Sequence, residues 1–154
     1  MKKIIVLFLL MVLGVSSAKA QQEDYAKFTI SKAVVDGYNC SEEYRSNNAY
    51  LVFYNSEGNE FCMANVWPKS DTQSYGTITG WKSYRYNETE TEYASDVFKF
   101  KWHYRNSYDD KQGVASCKLI KIYKPSGVVY EFEYILPNGS TAHYSGYMQG
   151  TMKF

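Results

Sequence analysis

The chain has 154 residues, with 17 Lys and Arg against 16 Asp and Glu and only 2 His. Near-neutral charge argues against a general polyanion binder, and two histidines leave little for a histidine-built metal centre. One further bias stands out: 16 Tyr beside 8 Phe and 3 Trp, an aromatic content of 18%.

The first twenty residues read as a secretory signal. Lys2 and Lys3 give a basic start, residues 4–15 are apolar apart from Gly14, and Ala18-Lys19-Ala20 has the A-x-A form cut by signal peptidase. Cleavage is expected after Ala20. The apolar run is shorter than the roughly 20 residues of a membrane span, so no integral membrane segment is expected after signal removal. No cysteine follows the run closely, so no lipid anchor is expected. The short two-lysine start and compact apolar run look bacterial, which predicts a periplasmic or extracellular protein. Loss of Lys2, Lys3 and Lys19 leaves 14 basic against 16 acidic residues, a net charge of about −2. The remainder, 21–154, is read as a single domain, long enough to bury a core without staples.

From there, alternation of period two dominates and turn residues recur about every ten positions. Strands are predicted at 25–37, 48–55, 59–67, 74–86, 96–105, 113–124, 128–136 and 140–149. The fold class is therefore all-β, an antiparallel meander of about eight strands. Closing a meander removes its edges, which favours an up-and-down, lipocalin-like β-barrel; the alternative is a two-sheet β-sandwich. No G-x-W stands near the start and no residue motif of the lipocalins is present, so the likeness is one of architecture only.

Three turns share a grammar: "NSEG" (55–58), "KPSG" (124–127) and "LPNG" (136–139). Each suits a three-residue loop with a type I turn and a left-handed glycine at Gly58, Gly127 or Gly139. Counting outward pairs Phe53 with Phe61, Leu51 with Met63, Ile122 with Tyr130, Ile120 with Phe132, and Phe132 with Tyr144. On the opposite face it pairs Lys121 with Glu131 and Glu133 with His143. Apolar residues meet apolar and acid meets base, as stable cross-strand pairing requires.

The stretch "DVFKFKWHYR" (96–105) has Phe98, Phe100, Trp102 and Tyr104 on one parity and Lys99, Lys101, His103 and Arg105 on the other. The preceding "NETETEY" alternates Glu88, Glu90 and Glu92. A tight turn near Ala94-Ser95 would pair Glu90 with Lys99 and Glu88 with Lys101, making the basic row half of an ion ladder rather than a nucleic-acid strip. The aromatic parity is either core or the lining of a cavity. Trp67, before Pro68 and a polar loop, is either a closure for the barrel end or a platform at its mouth.

Motifs for chemistry are scarce. There is no G-x-S-x-G, no C-x-x-C and no metal-ligand spacing, and Glu131 and Glu133 fit a solvated charged face better than an acid/base pair. Cys40, Cys62 and Cys117 leave one disulfide or three free thiols equally open. Two N-x-[ST] matches, at Asn87 and Asn138, carry no meaning in a bacterial host. The expected function is an exported, non-enzymatic binding protein carrying a small apolar or amphipathic ligand inside the barrel. Trp67, Phe100, Trp102, Tyr104, Tyr130 and Phe132 are the candidate ligand-binding residues. A protein-interaction module of inhibitor or immunity type, and a hydrolase of unfamiliar type, are the alternatives. No catalytic residue, metal ligand, cofactor or nucleic-acid partner is predicted; the partner is a small molecule or another protein.

Overall fold

The computed structural model describes residues 24–154, so the predicted signal and its cleavage point lie outside the described residues. The long strands are β1 (Tyr25–Val35), β3 (Tyr50–Asn55), β4 (Phe61–Trp67), β5 (Thr72–Tyr86), β6 (Ser95–Asn106), β7 (Gln112–Lys124), β8 (Gly127–Ile135) and β9 (Thr141–Gly150). Each pairs antiparallel with the next, and β9 returns onto β1, closing an eight-strand barrel. The closed ring of pairings excludes the two-sheet sandwich. A two-residue strand β2 (Tyr38–Asn39) adds to the end of β1 outside the ring, and a single-turn helix α1 (Ser41–Ser46) follows it. Neither was expected from period-two patterning. The helix has Glu42 and Glu43 in its first turn and Arg45 in its last, charges that complement its dipole.

Alternation sends one parity of each strand inward. Phe28, Leu51, Phe53, Met63, Phe98, Phe100, Trp102, Leu119, Phe132 and Tyr144 form one continuous buried core. Rings interlock through the middle of the barrel: Phe53 lies 6.1 Å from Phe100 and 6.4 Å from Phe132, and Phe28 lies 6.5 Å from Phe132. An eight-strand barrel is just wide enough for side chains to fill, and this middle zone is filled. One end is closed by Trp81 stacked on Phe98 and Phe100, with Phe154 against Phe53, Phe61 and Trp81. Lys121 Nζ donates to the Phe154 main-chain oxygen at 2.8 Å. Asp96 sits at the same end, bonded by Arg85 and Tyr123. Burial there acts to raise its pKa, but the bonds from Tyr123 and Arg85 outweigh burial and hold the carboxyl below its ordinary value.

Two strand registers depart from the expected ones, each for a reason of turn geometry. In the β3–β4 hairpin the left-handed residue is Asn59, at φ 58°, not Gly58. The Asn59 amide donates to Ser56 O at 2.8 Å, so the loop sits one residue later and Phe53 faces Met63 while Leu51 faces Asn65. Parity is kept, so the core is unaffected. Between β7 and β8 the loop is only Pro125-Ser126, with Lys124 opposite Gly127. That moves the pairing by one residue: Leu119 faces Phe132, Lys118 faces Glu133, and Ile120 and Ile122 face Glu131 and Val129. The expected Ile120–Phe132, Ile122–Tyr130 and Lys121–Glu131 pairs are therefore absent. The third turn holds as expected, with Gly139 at φ 86°, Phe132 opposite Tyr144 and Glu133 opposite His143.

The acidic half of the predicted ion ladder is also absent. Glu88, Glu90 and Glu92 stand exposed in the β5–β6 connection, which runs over 87–94 rather than turning tightly at Ala94-Ser95. A bulge in β5 between Thr79 and Lys82 then places Lys82, not a glutamate, opposite Lys99. All three cysteines are free: Cys62 and Cys117 are buried and Cys40 is half-buried. Burial pushes the Cys117 thiol up to about 12, which makes it inert at neutral pH.

Candidate functional site

The end of the barrel opposite Phe154 is not filled. Here the ends of β4, β6 and β8, the start of β5, and helix α1 surround a pocket of about 360 Å3. Its walls carry six aromatic side chains, from Tyr44, Trp67, Trp102, Tyr104, Tyr108 and Tyr134, with Leu136 at the rim. Asn65, Gln73, Ser74, Thr72 and Asn106 supply the polar groups.

Each wall follows from strand parity. Trp102 and Tyr104 continue the inward row of β6, their rings 5.2 Å apart, and the Trp102 indole donates to Met63 O at 3.0 Å. That bond fixes the indole at the boundary between the packed middle and the open mouth. Met63, Asn65 and Trp67 continue the inward row of β4. Trp67 is held edge-on against Tyr44 of α1, ring centroids 4.5 Å apart, so the short helix props one side of the mouth rather than covering it.

Behind the pocket, three tyrosine hydroxyls form a chain. Tyr144 donates to Tyr134 at 3.2 Å, and the Tyr44 and Tyr144 hydroxyls lie 2.9 Å apart. A hydroxyl has one proton. With the Tyr144 proton directed at Tyr134, Tyr44 donates to Tyr144, and the Tyr134 proton is left to point at whatever enters the pocket. Burial raises the pKa of all three, and the nearby Tyr134 adds to the rise at Tyr44 and Tyr144, while the bond to Tyr144 offsets part of it at Tyr44, so all three stay protonated donors at any ordinary pH.

Asn65 is the most informative wall residue. Its side chain is buried, at 9% exposure, and its carboxamide Oδ1 has no hydrogen-bond partner among the described residues. A buried polar atom left without a partner costs about 1–3 kcal/mol, so such atoms are rare in folded proteins and mark a place where function can outweigh stability. Asn106, by contrast, is satisfied: it accepts from Ser74 at 2.6 Å and donates to Asp109 at 3.0 Å. The pocket thus presents flat apolar rings and one spare donor at Tyr134, while the orphan acceptor of Asn65 is closed off from water within its wall. Among the described residues, the ionisable side chains that line the pocket are all tyrosines.

Of the residues expected to bind ligand, Trp67, Trp102 and Tyr104 come together here. Phe100 and Phe132 lie in the packed middle of the barrel, 4% and 0% exposed. Tyr130 points into the far end, beside Lys121, Tyr123 and Asp96. Asn65, Tyr44, Tyr108 and Tyr134 were not anticipated. For Asn65 a cue existed: it is a polar residue on the same parity as Phe61, Met63 and Trp67. Among the described residues no group of three or more His, Cys, Asp or Glu side chains is placed to hold a metal ion. No protein-family model, no curated protein and no solved structure matches this chain.

Proposed function

We propose that the protein is a non-enzymatic binding protein that takes a small amphipathic ligand at the barrel mouth. The ligand would be a compact ring with hydrogen-bonding groups on its edge, such as a sugar ring or a hydroxylated aromatic. The observation that carries this reading is an aromatic-lined pocket of about 360 Å3 whose wall includes Asn65, a buried carboxamide with an unpartnered Oδ1. The volume falls within the range of small-molecule sites, and apolar walls with a few placed polar groups are their usual make-up. Flat Trp67, Trp102 and Tyr104 faces would stack the ring, Tyr134 would donate to its edge, and Asn65 would accept from it once its carboxamide turns toward the pocket. The predicted secretory signal supports a role outside the cytoplasm.

Ligand-observed NMR against a panel of monosaccharides and small hydroxylated aromatics tests the reading. At least one panel member is expected to bind saturably and to shift the indole resonances of Trp67 and Trp102. Binding should weaken about tenfold or more in Asn65→Leu, which removes the acceptor, and in Tyr108→Ala at the exposed rim. Indole resonances unmoved by every panel member would contradict the assignment.

A further inference from the structure

A second concave site lies on the outside of the barrel, on the basic parity of β6, and shares with the mouth only Tyr134 among the described residues. Lys82 on β5, Lys99 on β6 and Lys118 on β7 are direct cross-strand partners in one row. Lys101 stands in the next row, its Nζ donating to Ser116 Oγ at 2.6 Å. Between the two rows runs a groove of about 440 Å3 over Phe100 and Cys117, bounded by Glu133 and Ile135 at one end and Gly80 at the other.

Like charges directly opposite one another on a sheet repel, so three lysines in a row weaken the fold unless something offsets them. The carboxylates described elsewhere do not. Asp96 holds Arg85, Asp110 holds Arg105 and Asp109 faces Lys111. Glu133 lies in the groove but is taken by Lys118 at 2.6 Å, with His143 on its other side at 4.0 Å. Among the described residues, Lys82, Lys99 and Lys101 have no carboxylate partner. Lys99 instead lies over the Tyr84 ring at 5.4 Å, which steers its ammonium without neutralising it. The β5 bulge completes the site. Gly80 adopts φ +66°, and a Cβ there would meet no atom within 4 Å, so the groove is open at that end.

We propose that this groove binds a compact anion of two or more charges, the phosphoryl or sulfate group of a small ligand. Three lysines without a carboxylate partner, Lys82, Lys99 and Lys101, line a trough whose four strands, β5 to β8, span roughly 14 Å. That suits one or two tetrahedral dianions better than a long polymer. Lysine is a point-charge binder of such groups, and apolar lysine stems along the walls reduce the water that would screen them.

The test is a titration with inorganic pyrophosphate and, in parallel, inorganic sulfate at low ionic strength, read by amide shifts of Phe100, Lys101 and Cys117. Saturable binding is expected, weaker in 0.2 M salt because the groove is surface-exposed. Tighter pyrophosphate binding assigns a phosphoryl ligand, and equal or tighter sulfate binding assigns a sulfate ester. Lys99→Gln should weaken binding about tenfold while leaving the unliganded protein at least as stable as the parent, since it relieves repulsion. Lys69→Gln, on the turn after β4, should change neither. Absence of saturable binding, equal binding in Lys99→Gln, or a single-stranded oligonucleotide binding over a hundredfold more tightly than pyrophosphate would each overturn the proposal.

Discussion

Replacing Phe132 by alanine is expected to remove about 3–5 kcal/mol of stability, enough to unfold a substantial fraction of a domain of ordinary stability. Phe132 is 0% exposed and stands where the inward rows converge. Its ring contacts Phe28, Phe53 and Phe100 on three other strands, and Tyr144 at 6.1 Å in a stacked arrangement on the strand beside it. None of these neighbours can collapse into the void without leaving its own strand position, so most of the cavity would persist. Urea unfolding of the variant beside Phe132→Leu, which keeps most of the volume, checks this. A loss below about 1.5 kcal/mol for the alanine would mean that the middle of the barrel is not packed as described.

Gly146→Ala is expected to cost about 3 kcal/mol, at the upper end of overpacking. Gly146 lies on β9 at the seam where the last strand meets β1, opposite Ile30 and next to the bulge between Ile30 and Lys32. A Cβ at this position would collide with the Thr29 carbonyl oxygen, a backbone atom of the neighbouring strand, and would touch the Phe28 ring at 3.4 Å. A flexible side chain could move aside; a strand held on its other edge by β3 cannot. Hydrogen exchange should show the β1–β9 amides losing protection before those of β6 and β7. Gly58→Ala is the control, since its nearest neighbour would be Ser56 Oγ at 3.9 Å, and it should change stability little. Equal tolerance of both substitutions would indicate that the seam is open.

The barrel was readable because inward rows such as Phe98, Phe100 and Trp102 repeat at period two, and because a meander of short loops has few ways to close. The registers were harder to read, since each depends on one or two turn residues. "KLIKIYK" offers apolar side chains on both parities, Leu119 on one and Ile120 and Ile122 on the other, so the length of the Pro125-Ser126 loop decides which enters the core. In "NSEGN" two neighbours both tolerate a left-handed backbone, and the asparagine takes it. "NETETEY" alternates like a strand but has no partner strand, and alternation without a partner makes only a loop.

The mouth pocket was half legible. Trp67, Trp102 and Tyr104 belong to strand rows and could be anticipated. Tyr44 and Tyr108 reach the site from a one-turn helix and a loop, where no period marks them, and Tyr134 matters through a hydroxyl chain that needs two strands in register and the helix docked against them. The basic groove is a similar case: its character arises from Lys82 meeting Lys99 through a bulge at Gly80, which simple counting along the sequence does not produce.

The central claim is that the barrel is packed through its middle and open to a small ligand at the mouth, with Asn65 as the unmet acceptor. Native mass spectrometry of the protein purified from its own host, beside Asn65→Leu prepared the same way, tests it most directly. The account predicts a small-molecule adduct on the parent protein that is lost on unfolding and is absent or strongly reduced in Asn65→Leu. A bare mass for both proteins, or an adduct retained undiminished by Asn65→Leu, would contradict it.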